Sequence, residues 1–375
     1  MKKIYLTKPF FDDDEFNAVR ETLESGWVAG QGPKGIKLSE AVRNYINVEY
    51  AVPVVNCTAG LHLALLTLGI KKGDEVLVSD FTFPATGHAV MFCGAKPVFV
   101  DVCLDTYNMN PDKIESKITE KTKAIIVVHC FGQVADMDRI TATAERYNLK
   151  IIEDAACSLG AKYKGKNAGN FSDIAAFSFH ARKNVTSGEG GIVTTDNKEY
   201  ADILSSLSCF GMESAFKRQQ NFKIPTFDLP GYNYKLSDIN AAIAIEQLKK
   251  YPRLLEKKRL LVRKYNELLQ NNEFVKIPVV AENNLHVYQT YAVGLNPEID
   301  RNKIIISLRE DNIQTQIGMY ASHILPVYKS SDKCPDSLYL FLHTLALPLY
   351  YELEIEDVEV VVERLNVHIN KQLTK

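Results

Sequence analysis

The chain has 375 residues, 46% of them hydrophobic, which is enough for a large core and too long for one simple domain. Its 44 Lys and Arg against 46 Asp and Glu leave a net charge of -2, no basis for bulk attraction to nucleic acid or a membrane surface. No signal-peptide core, no apolar run of about 18 residues and no CxxC pair among seven cysteines occurs, so a soluble cytoplasmic enzyme without metal cluster or disulfide framework is expected.

In chain order, Asp12-Asp13-Asp14 caps a predicted helix whose apolar face would be Phe16, Val19 and Leu23. A second helix is expected over about 38–47. Between them Gly30-Gln-Gly32-Pro-Lys-Gly35 matches GxGxxG in form, but it follows a helix rather than a strand, and Pro33 removes a backbone donor. Dinucleotide binding is rejected there in favour of a mobile loop beside a substrate pocket. VPVVNCTAGLHLALLTLGI reads as a short strand, a turn at Asn56 to Thr58 and a Leu-rich helix. Strands follow at 75–79, 97–101, 124–129, 150–154, 174–180 and 191–195, several without polar/apolar alternation and so buried on both faces. Helical segments such as MDRITATAERY separate them, the mark of an α/β fold with a mainly parallel sheet flanked by helices. After about residue 236, SDINAAIAIEQLKK and residues 252–269 read as two helices. Short strands and helices then lead to a last helix from about Glu356. The expected division is a large domain over 1–250 and a smaller C-terminal α+β domain over 251–375.

Three segments carry chemistry. In SFHARKNVTSGEGG, Lys183 stands in a polar loop between two strands, a rigid, partly dry setting that would lower the pKa of an imine-forming amine; an ordinary surface lysine beside a turn is the plainer alternative. KIIEDAA ends a buried strand on Glu153 and Asp154, where open α/β sheets bind ligands. A carboxylate there needs a cationic partner, a pyridinium nitrogen being one candidate; a cap for the following turn or a salt bridge to Lys or Arg is the plainer alternative. Asn56-Cys57-Thr58-Ala59-Gly60, between strand and helix, suits a phosphate monoester or is simply a capped helix start with Thr58 as the cap. Phe83 in SDFTFPAT offers an aromatic face to a planar ring, although a lone Phe is more often core. The histidines show no metal-ligand spacing, and neither GxSxG nor GxxxxGK[ST] occurs.

Thr58, Asp154 and Lys183 in that order, with FTFPAT, SFHARKNVTSGEGG, PGYNYKLSDINAAIAIEQL and LPLY, resemble the DegT/DnrJ/StrS family of nucleotide-sugar aminotransferases. These are relatives of aspartate aminotransferase with fold type I, and the resemblance runs from SGWVAGQGPK to the final helix. It implies a large domain that binds pyridoxal 5'-phosphate (PLP), with Lys183 as Schiff-base lysine and proton shuttle and Asp154 as partner of the pyridine nitrogen. It implies further that Thr58, Ala59 and Ser178 hold the phosphate and that Phe83 stacks on the ring. Asn233, in GYNY, would reach the phosphate of the neighbouring subunit's cofactor, giving a homodimer with shared active sites. His323, in YASHILPVY, and Trp27, in SGWVAG, would lie near the sugar nucleotide. Cys157 departs from the family, which commonly has Gln or His there, close to the ring oxygen; a thiol is a weak donor. A related branch of dehydratases has histidine in place of the lysine, so the retained Lys183 favours transamination. The implied reaction passes an amino group from an amino acid, glutamate being the family's usual donor, to a keto-sugar nucleotide for surface polysaccharide or glycoconjugate. The alternatives are a keto-inositol or aminohydroxybenzoate precursor as acceptor, or a non-catalytic PLP-binding regulator.

Overall fold

The computed structural model describes residues 2–212 and 224–374. Seven strands form the main sheet: β1 (Tyr50–Val54), β2 (Glu75–Ser79), β3 (Lys96–Val100), β4 (Thr122–Val128), β5 (Lys150–Asp154), β6 (Ile174–Ser178) and β7 (Gly191–Thr195). Their spatial order is β1-β7-β6-β5-β4-β2-β3. The pairs from β6 through β3 are parallel, whereas β7 runs antiparallel to both its neighbours. This is the α/β fold with a mainly parallel sheet that the alternating pattern predicts. The strands lack polar alternation because both faces are covered. Leu77, Ile125 and Ile151 pack into one core, while Val76, Val78, Ile126 and Ile152 pack into another on the opposite face.

Helices α1 (Asp13–Glu24), α2 (Pro33–Ile46), α3 (Cys57–Thr67), α4 (Ala85–Phe92), α5 (Met137–Arg146) and α6 (Lys198–Ser208) surround this sheet. Helix α3 is apolar on nearly every side and correspondingly buried, with Leu61, Leu63 and Leu65 inside. Helix α1 departs from expectation. Asp12 caps it in a capping box with Glu15, but Phe16 and Leu23 are exposed and the buried face is Glu15, Ala18 and Thr22. The reason is polar: Lys250 and Gln247 each reach Glu15, so the helix docks through a buried ion pair and small residues.

The two helices expected after residue 236 are one, α7 (Asp238–Leu269), which runs straight through Pro252. Proline removes one backbone bond, yet Leu248, Tyr251, Leu254 and Leu255 around it are buried and hold the helix in place. The first half of α7 packs on the sheet; from Leu261 onward it joins a third core containing Ile4, Tyr265, Tyr291, Leu345 and Leu365. Around that core lie β8 (Val275–Lys276), β9 (Tyr291–Leu295), β10 (Gln316–Ile317) and β11 (Thr344–Leu347), an antiparallel sheet in the order β8-β9-β11-β10. Helices α8 (Arg301–Glu310), α9 (Pro335–His343) and α10 (Ile355–Leu373) complete this part. Among the described residues no helix is long and apolar enough to cross a membrane.

Candidate active site

The carboxyl ends of β1, β2, β5 and β6 open on one edge of the sheet, and the segments carrying Cys57, Thr86, Asp154 and Lys183 meet there. Lys183 lies in the loop between β6 and β7, which is an extended hairpin rather than slack chain. Phe179 N–H donates to Gly190 O at 2.9 Å and Ala181 N–H to Gly188 O at 2.9 Å. Asn240 on α7 clamps it from outside, donating to Ser187 O at 2.7 Å and Glu189 O at 3.0 Å. Lys183 Nζ donates to Cys157 Sγ at 3.2 Å. Burial disfavours the ammonium, but Cys157, Cys57 and Asp154 around it outweigh that and push its pKa up, opposite to the lowering expected. Burial also holds the Cys57 thiol far above its usual range.

Glu153 and Asp154 point to opposite faces. Glu153 is wholly buried and accepts from His129 Nε2 at 2.7 Å, Gly169 N–H at 2.7 Å, Phe171 N–H at 2.9 Å and Ser172 Oγ at 2.8 Å. Burial alone would raise its carboxyl; His129 and the two amides outweigh it and hold the group below the ordinary range. Ala135 N–H donates to His129 Nδ1, which leaves the proton on Nε2, facing Glu153. Asp154, only 6% exposed, accepts from Thr86 Oγ1 at 2.7 Å and Ala156 N–H at 3.2 Å. Burial pushes its carboxyl up, and among the described residues it has no ion-pair partner. Sequence reading missed Thr86, although it closes the quoted FTFPAT segment.

The start of α3 is capped by Asn56, not Thr58: Asn56 Oδ1 accepts from Ala59 N–H at 2.8 Å. The Ala59 amide is thereby engaged, while Thr58 sits half-buried one position earlier. Ser178 ends β6, its Oγ accepting from His180 N–H at 3.3 Å. Phe83, just before α4, is 59% exposed, its ring met edge-on by Tyr320. Asn233 is exposed, with its side-chain oxygen bonded by Lys235 Nζ.

The glycine segment expected to be a mobile loop is instead the fixed entry to α2. Gly32, Lys34 and Gly35 N–H groups donate to the Asp238 carboxylate at 3.1, 2.9 and 3.2 Å, so an anion from α7 already fills this helix N-terminus. Trp27 packs so closely on Gly32 that a Cβ there would fall 1.8 Å from its Nε1. His323 is held by Asp80, which follows β2: its backbone N–H and its Nδ1 meet the two carboxylate oxygens at 2.6 and 2.7 Å. That bond to Asp80 raises the imidazole pKa against the opposing effect of burial. Cys334 brings a third ligand-type atom, the three lying within 4.8 Å of one another, a grouping invisible to sequence spacing. The carboxylate is closed by the imidazole and the amide.

The family model for DegT/DnrJ/EryC1/StrS aminotransferases matches residues 9–366. The spore coat polysaccharide biosynthesis protein SpsC of Bacillus subtilis is 35% identical over 368 residues, covering 95% of this chain and 94% of its own. Spr1654 from Streptococcus pneumoniae, assigned as a sugar aminotransferase, superposes in its PMP form with a TM-score of 0.93 at 29% identity, covering 100% of this chain and 99% of its own. DesI, solved in the presence of its TDP-sugar product, gives 0.91 at 27% identity, covering 100% of this chain and 95% of its own. The chain belongs to the DegT/DnrJ/EryC1/StrS aminotransferase family.

Proposed function

We propose that the chain is a PLP-dependent aminotransferase that moves an amino group from an amino acid, L-glutamate, to the keto group of a sugar carried on a nucleotide, in polysaccharide biosynthesis. The observation that carries this reading is Asp154: a buried strand-end carboxyl with a hydroxyl and an amide as donors and, among the described residues, no ion-pair partner, on the same sheet edge as Lys183. A pyridinium nitrogen would supply that direct partner, so the residues present suit PLP. The polysaccharide role of SpsC and the TDP-sugar product of DesI support the substrate class.

When bound, PLP supplies an electron sink for the charge that develops at the carbon losing or gaining a proton. Lys183 Nζ holds and returns the proton at that carbon, and Cys157 Sγ keeps the amine aimed. Asp154 holds a proton on the ring nitrogen. Phe83 presents a face to the ring, and the Thr58 and Ser178 hydroxyls hold the phosphate beside the α3 N-terminus, with Ala59 shaping the turn. In a homodimer with shared sites, the partner subunit's Asn233 adds an amide to that phosphate. His323 and Trp27 flank the sugar nucleotide. PLP-loaded protein mixed with glutamate should release about one equivalent of 2-oxoglutarate per site, and a keto-sugar nucleotide should then restore the starting absorbance. No oxo-acid release would turn the reading toward a PLP-binding regulator. Restoration by a keto-inositol or aminohydroxybenzoate precursor in place of sugar nucleotides would replace the acceptor.

A further inference from the structure

Asp154 does not meet Thr86 alone. Thr86 Oγ1 is 2.7 Å from Asp154 Oδ2, and Thr82 Oγ1 is 3.0 Å from Thr86 Oγ1, both threonines being 1% exposed. A hydroxyl has one proton to give. An ionised carboxylate can only accept, so Thr86 gives its proton to Asp154 and receives that of Thr82. The competing acceptor of Thr86, the Phe83 carbonyl, is farther at 3.2 Å and uncharged. The order of donation is thereby set: Thr82 to Thr86 to Asp154. Each step favours the ionised carboxylate, and a hydroxyl that accepts a bond becomes a better donor. Thr86 is the first of the groups that draw the Asp154 pKa down against the upward push of burial.

Thr82 is itself fixed from the far end of the chain. Phe81–Thr82 pairs antiparallel with Tyr320–Ala321, Ser322 N–H donates to Asp80 O at 3.0 Å, and His323 grips the Asp80 carboxylate. Tyr328 Oη adds a bond to Pro84 O at 2.7 Å. The segment that carries Thr82, Phe83 and Thr86 thus has little freedom to swing the hydroxyls away.

We propose that Thr82 and Thr86 are positioning residues that form a two-hydroxyl relay, keeping the Asp154 carboxylate ionised and aimed at the cofactor's ring nitrogen. The relay rests on the reading of Asp154 as that nitrogen's partner. The test uses the full chain loaded with PLP carrying 15N in the ring, whose resonance separates protonated from unprotonated nitrogen without any turnover. Wild type should show the protonated position and Asp154→Asn the unprotonated one. Thr86→Val should shift the resonance in the same direction as Asp154→Asn, and Thr82→Val in that direction by a smaller step. Thr86→Ser and Thr82→Ser, which restore the hydroxyl, should return it. A Thr86→Val resonance at the wild-type position beside a shifted Asp154→Asn would overturn the relay and leave the Asp154 reading intact. So would a Thr82→Val that does not move while Thr86→Val does. An unmoved Asp154→Asn would overturn both. If Thr86→Val does not retain cofactor, Thr82→Val and its serine rescue, one bond farther from the carboxylate, carry the decision.

Discussion

Glu153 and Asp154 are neighbours in sequence with opposite destinations, because successive side chains leave a strand on opposite faces. Glu153 is saturated by His129, two amides and Ser172, a structural pair with no opening to a ligand. Asp154 keeps capacity for a cation. Glu153→Ala strands buried donors and should cost about 3–5 kcal/mol, read by denaturant unfolding. The pH dependence has a definite sign. Because the folded pKa lies below the ordinary Glu value of 4.5, the contribution of Glu153 is fully present above that value and is lost as pH falls through the folded pKa. The gap between wild type and Glu153→Gln should therefore narrow below about pH 4.5 and be constant above it; a gap that widens on acidification would contradict the assignment. At this scale the sequence announced Lys183 and Asp154, since a loop lysine and a strand-end acid are local patterns. It hid Thr86 and Asp80, whose partners are 68 and 243 residues away.

At the scale of elements, the strands were legible because a strand buried on both faces writes itself as an unbroken apolar run. The helices misled where polar contacts decide the docking. Helix α1 turns Phe16 and Leu23 outward because Glu15 is claimed by Lys250 and Gln247, and no periodicity rule anticipates a buried ion pair. Likewise the start of α2 is closed by Asp238, far along the chain, which converts an apparent phosphate loop into an internally satisfied cap. Asp238→Ala removes the acceptor for three amides and should lower stability by about 2 kcal/mol, a cap loss at the upper end because the acceptor is charged. Trp27, the chain's single tryptophan, packs against Gly32 and reports on the same cap. Its emission should shift to the red in that variant, before global unfolding. An unchanged denaturation midpoint with unchanged emission would show that the cap is dispensable.

For the whole molecule, the alternation of apolar runs and helices sufficed to give the main sheet, while the C-terminal part could be read only as mixed short elements. The physical reason lies in α7, whose two halves serve different cores and whose Pro252 looks like a break when only local rules are applied. The N-terminal Ile4 likewise packs with residues from the last third of the chain, a contact without local signature. What unites these parts is the sheet edge where the end of β5, the start of α3 and the β6–β7 hairpin meet around Lys183. The measurement that tests this most directly is borohydride reduction of the PLP-loaded chain, followed by peptide mapping across every lysine. Pyridoxyl label is expected on Lys183 alone, and none in Lys183→Ala protein that still binds the cofactor; label on another lysine of the wild type would contradict the assignment of Lys183.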